Sequence, residues 1–201
     1  MKKTIYAFLL LLFLSFSVSA QLRVNTTGGY FINAGDFNGF SVGGYALDAN
    51  VRFGAKNSLQ WGFGTGYYRT NIDNVSIILN NNPKDYILVD YVTTYIPVTI
   101  GFEKYLSKAR LRAFTGMEAG IILPGLSVER NSQTPPQATI TNSSVGRPVN
   151  FTVNGTFGVL YDINEQIGFV AKTRYSGIVN QNGGYTNAVT FSAGLSFVVG
   201  K

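Results

Sequence analysis

The sequence predicts an all-β chain: an eight-stranded antiparallel up-and-down transmembrane β-barrel behind a cleaved N-terminal signal peptide. Three observations predict it. The first twenty residues read as a secretory leader, the rest alternates apolar and polar residues in eight runs, and the connections between runs alternate tight and long.

The leader is MKKTIYAFLLLLFLSFSVSA. Lys2 and Lys3 form a positive n-region, residues 5–16 an apolar core, and Val18, Ser19 and Ala20 a small-residue cleavage site, so cleavage is expected between Ala20 and Gln21. A retained membrane helix is the alternative; the apolar core is short for it and no stop-transfer flank follows. Residues 1–20 are therefore read as leader and 21–201 as one barrel domain. That domain carries 14 Lys and Arg against 10 Asp and Glu, scattered without a basic run, which argues against a nucleic-acid partner. The chain has no Cys, which removes disulfides, thiolate metal sites and lipid attachment at a mature N-terminal cysteine.

The eight expected strands are 22–34, 40–53, 59–72, 86–105, 110–128, 148–161, 166–179 and 187–199. The clearest run sets Leu59, Trp61, Phe63, Thr65 and Tyr67 on one face against Gln60, Gly62, Gly64, Gly66 and Tyr68 on the other. The connections at 54–58, 106–109 and 162–165 are tight. Those at 73–85, 129–147 and 180–186 are long and rich in Asn, Ser, Gly and Pro; only the first, near 35–39, is short where a long one is expected.

Periodicity alone does not say which face is outside. A lipocalin-like barrel points its apolar residues inward around a ligand, and a transmembrane barrel inverts this. The non-apolar face mixes many glycines with a few long charged side chains. That mixture suits a narrow eight-stranded interior better than a solvated surface, where glycine weakens a strand and adds no solubility. Each run is also long enough to cross a hydrocarbon layer as a tilted strand, and a closed sheet satisfies every backbone polar group in lipid. An even strand number places both termini on one side, here read as the periplasm, together with the three tight connections. Outer-membrane lipid is then the first partner of the barrel.

Two adjoining segments carry a family resemblance: TTYIPVTIGFEKYL at 93–106 and RLRAFTGMEAGIIL at 110–123. This pair of strands around a short turn resembles the PorT-like small outer-membrane barrels of Bacteroidota, with Tyr95 where that family usually has Glu. At the level of fold the likeness extends to OmpA- and OmpX-type barrels. The resemblance implies a Gram-negative outer-membrane address and leaves the role open, an accessory part in a secretion system being one implication. Pro97 lies within the motif. Proline removes a ladder donor and a barrel has no edge to hide it, so a bulge or local irregularity is expected there.

The inward face carries Asp48, Glu103 and Glu118 against Arg52, Arg112, Lys172 and Arg174. Charges in a narrow lumen are costly unless paired, so these seven are expected to form an ion-pair and hydrogen-bond network that plugs the barrel. Arg112 and Glu118, six residues apart on one face of one strand, are expected to find partners on neighbouring strands. A narrow ion or proton path is the functional alternative. Outward aromatics are expected to form two girdles, with Phe53, Phe102, Tyr105, Tyr161 and Phe197 at the periplasmic rim and Tyr30, Tyr67, Tyr91, Phe151 and Tyr175 at the outer one.

Catalysis has little support. The chain has no His, so neither a Ser-His-Asp site nor an H-E-x-x-H zinc motif exists, and no cofactor is expected. Protein partners are expected at the long loops, where scaffolds of this kind place specificity; residues 75–79 could extend a hairpin above the membrane or form an exposed patch. The chain closes on SAGLSFVVG, in which Ser192, Gly194, Phe197 and Val199 resemble the C-terminal signal read by the barrel-assembly machinery.

Overall fold

The computed structural model describes residues 21–33, 43–54, 59–78, 86–130, 149–179 and 185–199, with side chains described except at 71–78, 86–93 and 124–130. Its elements are β1 (Gln21–Asn33), β2 (Gly43–Gly54), β3 (Leu59–Ile78), β4 (Tyr86–Tyr105), β5 (Leu111–Arg130), β6 (Asn150–Asp162), β7 (Ile167–Val179) and β8 (Tyr185–Val199). Each pairs antiparallel with its sequence neighbours, and β8 closes on β1 from Leu22↔Val199 to Asn33↔Ala188. The expected fold class is therefore the observed one. The leader, with Ala20, and the first connection lie outside the described residues.

Following directly opposed residues around the wall fixes the barrel's shape. Leu22 faces Phe53, which faces Trp61, then Phe102, Met117, Gly155, Tyr175 and Val189, and Val189 faces Ile32. The path returns to β1 ten residues further along. A stagger of that size tilts the strands by roughly 40° and leaves an eight-stranded interior just wide enough for side chains to fill.

The alternating pattern resolves with the polar set inside. On β6, Thr152, Asn154, Thr156 and Gly158 are buried while Phe151, Val153, Phe157 and Val159 are exposed. Large apolar side chains cover the outside of every strand: Leu47 is 61% exposed, Ile100 54% and Phe157 59%. Water-soluble monomers rarely expose so many large apolar side chains together, and an apolar exterior on every strand is what an acyl-chain solvent requires. The inward glycines make room for the long chains opposite. They also admit the neighbouring backbone: a Cβ on Gly116 would lie 2.6 Å from Phe102 O and 2.9 Å from Glu103 Cγ, and one on Gly101 would press on Met117 O and lie 2.7 Å from Glu118 Cγ. Gly54, where β2 gives way to a tight connection, has φ +149°, a conformation that favours glycine.

Several expectations are corrected. Residues 73–78, 129–130 and 185–186, expected in loops, belong to β3, β5 and β8. β3 continues through Val75↔Val89 to Ile78↔Tyr86 after a register shift between Ile72 and Val75, so this hairpin extends on the long-loop side. Of the two outcomes expected at Pro97, a bulge or a local irregularity, the second is observed. The pairs Gly66–Pro97 and Tyr67–Ile96 are missing from the β3–β4 ladder, yet Thr65↔Val98 and Tyr68↔Tyr95 keep one register on either side, and Pro97 still pairs with Ile122 of β5. The missing N–H opens a two-pair gap without inserting a residue. Tyr105 does not join a girdle; it is buried with Phe114, Leu160 and Val170. Residues two apart on a strand share a face, so placing Glu103 inward obliges Tyr105 to follow it.

Candidate functional site

The barrel wall delivers the following charges to the lumen from five strands. Asp48, Arg52, Glu103, Arg112, Glu118, Lys172 and Arg174 are all buried, and Arg23 joins them. They form one connected chain of contacts running from the tight-turn end upward.

At that end Arg112 reaches both carboxylate oxygens of Asp162, at 2.6 and 2.5 Å. Arg23 donates to Ser196 Oγ at 2.9 Å and lies 3.9 Å from the same carboxylate. Both guanidinium groups stand over the Tyr105 ring, with centroid distances of 5.8 Å for Arg23 and 5.2 Å for Arg112, a separation at which cation–π attraction operates. Tyr105 then leads to the next layer: its hydroxyl donates to Glu103 at 3.4 Å.

In the middle, Arg52 sits between two carboxylates. Its Nε is 3.1 Å from Glu103, and its Nη2 is hydrogen-bonded to Glu118. Thr99 donates to the other oxygen of Glu118 at 3.3 Å. Above this, Asp48 accepts from Arg174 and from the Tyr68 hydroxyl, each at 2.9 Å, with Lys172 at 3.6 Å. Arg174 also donates to Tyr68 at 2.6 Å and lies 3.6 Å from Glu118, which joins the upper and middle layers. Phe31 stacks on Tyr68 with ring centroids 5.4 Å apart.

Most of the ion pairs cross the lumen rather than join neighbouring strands: Arg112 meets the neighbouring β6, as expected, whereas Glu118 meets β2 and β7, contrary to the expectation. Arg52 of β2 meets β4 and β5, and Asp48 of β2 meets β7. Among the ion pairs of the described residues only Arg112–Asp162 joins adjacent strands, while the hydrogen bonds Tyr68–Asp48, Thr99–Glu118 and Arg23–Ser196 also do so. The narrow bore explains the cross-lumen pairs: a long side chain pointing inward reaches the opposite wall. The carboxylates and guanidinium groups pair with one another inside the barrel, and each cross-lumen contact ties two walls together.

The sequence reading missed four members of the network. Arg23 was detectable, since it shares a face with Asn25 and Thr27. Tyr68 was placed on the inward face but given no role, Asp162 was assigned to a tight connection, and Tyr105 was given to the lipid face. Among the described residues no cluster of His, Cys, Asp and Glu could hold a metal ion. Of the closing residues, Ser192 is buried, Gly194 opposes Thr27, Phe197 opposes Val24, and Val199 is exposed opposite Leu22. Gln21 is the first residue of β1. Residues 79–85, 131–147 and 180–184, the remaining parts of the long connections, lie outside the described residues, as does 148, expected in a strand.

No protein-family model matches the chain, and no curated protein does. Solved structures resemble its fold. Neisserial surface protein A (NspA) matches with a TM-score of 0.61 and 12% identity, over 89% of this chain and 98% of that one. The outer membrane protein OprG from Pseudomonas aeruginosa matches with a TM-score of 0.50 and 12% identity, over 91% and 97%. The outer membrane protease OmpT from Escherichia coli matches at 0.44 and 9%, over 90% and 96%. At such identities the likeness concerns the fold alone.

Proposed function

We propose that this protein is a non-enzymatic β-barrel of a Gram-negative outer membrane, with a structural or interaction role exercised through the long loops. The observation that carries the reading is the inverted barrel: an apolar belt outside and a cross-linked charge network inside. A lumen filled in this way leaves the long connections within 73–85, 129–147 and 180–186 as the place for specificity. The tight turns and both ends of the barrel then face the periplasm, and SAGLSFVVG serves as the assembly signal through Ser192, Gly194, Phe197 and Val199. The absence of His supports the non-enzymatic reading.

Heat-modifiable gel migration of the membrane fraction, combined with proteolysis of intact cells, tests compartment and orientation together. The expected result is a fast-migrating folded band whose long loops are clipped from outside. A protein recovered in the soluble fraction, or loops cut only after lysis, overturns the reading. The narrow-channel alternative predicts discrete conductance in planar bilayers that changes when Arg112 or Arg174 is substituted; the plugged lumen predicts silence. A role beside a secretion system rests on the PorT-like resemblance of 93–106 and 110–123, and a pull-down that recovers secretion machinery tests it.

A further inference from the structure

The β4–β5 turn differs from the rest of the tight-turn rim. Lys104, Lys108 and Arg110 are all exposed within seven residues, and the acidic groups beside this turn, Glu103 in sequence and Asp162 in space, are engaged with other cations. Glu103 points into the lumen toward Arg52, and Asp162 is held by Arg112. Glu165, on the β6–β7 turn, is the exposed acid on this rim among the described residues. Lys104 lies on the lipid-facing side, opposed by Leu59 on β3 and Thr115 on β5, with Phe102 and Leu106 two residues away on its own face. A lysine in that setting extends its ammonium toward the headgroup layer while its stem covers apolar surface. Leu106, Leu111 and Ile163 are exposed around it, as residues dipping into a bilayer boundary are.

The turn is also fixed in shape. Leu106 N–H donates to Ala113 O at 2.8 Å, Ser107 Oγ to Leu111 O at 3.2 Å, and Asp162 N–H to Arg110 O at 2.9 Å. Little ordering remains to be done when a ligand arrives.

We propose that Lys104, Lys108 and Arg110 form a binding collar for the phosphate of an anionic phospholipid, seated with its acyl chains against Leu59, Phe102 and Leu106. The choice of phospholipid over lipid A rests on the orientation proposed above, which puts this rim in the periplasmic leaflet. A basic cluster at a membrane surface gains about fivefold in affinity per cation.

The test is lipid retention by the full mature chain in nanodiscs of phosphatidylcholine with phosphatidylglycerol, or with lipid A, counted by native mass spectrometry. The wild type is expected to retain phosphatidylglycerol over phosphatidylcholine. The K104Q/K108Q/R110Q variant is expected to lose that preference by tenfold or more, and R69Q, on the opposite half of β3, to keep it. Equal retention by wild type and triple variant overturns the collar. A preference for lipid A that the triple variant loses instead overturns the choice of lipid. Heat-modifiable migration confirms that each variant is folded, with K108Q/R110Q as the milder substitute, expected to lose a smaller part of the preference. A chain that does not enter nanodiscs refutes the membrane-barrel reading itself, whereas a folded barrel without lipid preference refutes only the collar.

Discussion

Replacing Arg52 with Met should be among the most damaging single changes in the protein. Arg52 is fully buried and bonds both Glu103 and Glu118. Methionine preserves much of the stem's packing but leaves two carboxylates buried together, with Arg174 as the nearest remaining cation to Glu118, at 3.6 Å. Breaking a buried pair from one side costs about 3–5 kcal/mol, because the surviving charge is left uncompensated. Removing the charges together is far milder, so R52M/E103Q/E118Q should recover most of the loss. Urea titration in lipid vesicles provides the assay, with fluorescence of Trp61, the sole tryptophan, as the probe. A midpoint for R52M within experimental error of wild type, or a triple variant no better than R52M, would refute the claim that Arg52 pins β2 to β4 and β5.

Other consequences follow from the same geometry. Asp162→Asn should destabilise the barrel by about 1–3 kcal/mol, since Arg112 and Arg23 lose their shared carboxylate; the same urea titration reads it. Gly116→Val should destabilise the barrel by about 1–3 kcal/mol, because its Cβ would press on the Phe102 carbonyl oxygen and on Glu103 Cγ. Gly155→Ala should stay within about 0.5 kcal/mol of wild type, since nothing lies within 4 Å of the added Cβ. Ile100→Lys, on the lipid face, should cost about 2–4 kcal/mol if that position sits near the bilayer midplane, measured by folding yield into vesicles.

Much of this architecture was legible in the sequence because a strand's side chains alternate faces, so each assigned residue fixes its neighbours. Leu59 to Tyr68 alone separates lipid face from lumen, and all seven predicted lumen charges lie inside. Register was not legible. Which residue opposes which depends on the ten-residue stagger accumulated around the whole barrel, so the cross-lumen pairs Arg52–Glu118 and Asp48–Arg174 had no local signature. Asp162 was hidden by its position at a turn, where polarity is ordinary. Tyr105 was misplaced because an aromatic near a strand end resembles a girdle residue, although its spacing from Glu103 already gave its face. The extension of β3 to Ile78 was obscured by Asn71, Asp73 and Asn74, which resemble loop residues and surround the register shift between Ile72 and Val75.

The central claim is that the exposed apolar face meets lipid acyl chains. Quenching by phospholipids brominated in mid-chain tests it directly, using a Trp61→Phe background in which Ile100→Trp supplies the only indole. Strong quenching that deepens as the bromines approach the bilayer centre is the predicted result. An indole at residue 100 that brominated lipid leaves bright, but that aqueous iodide quenches, would contradict the account.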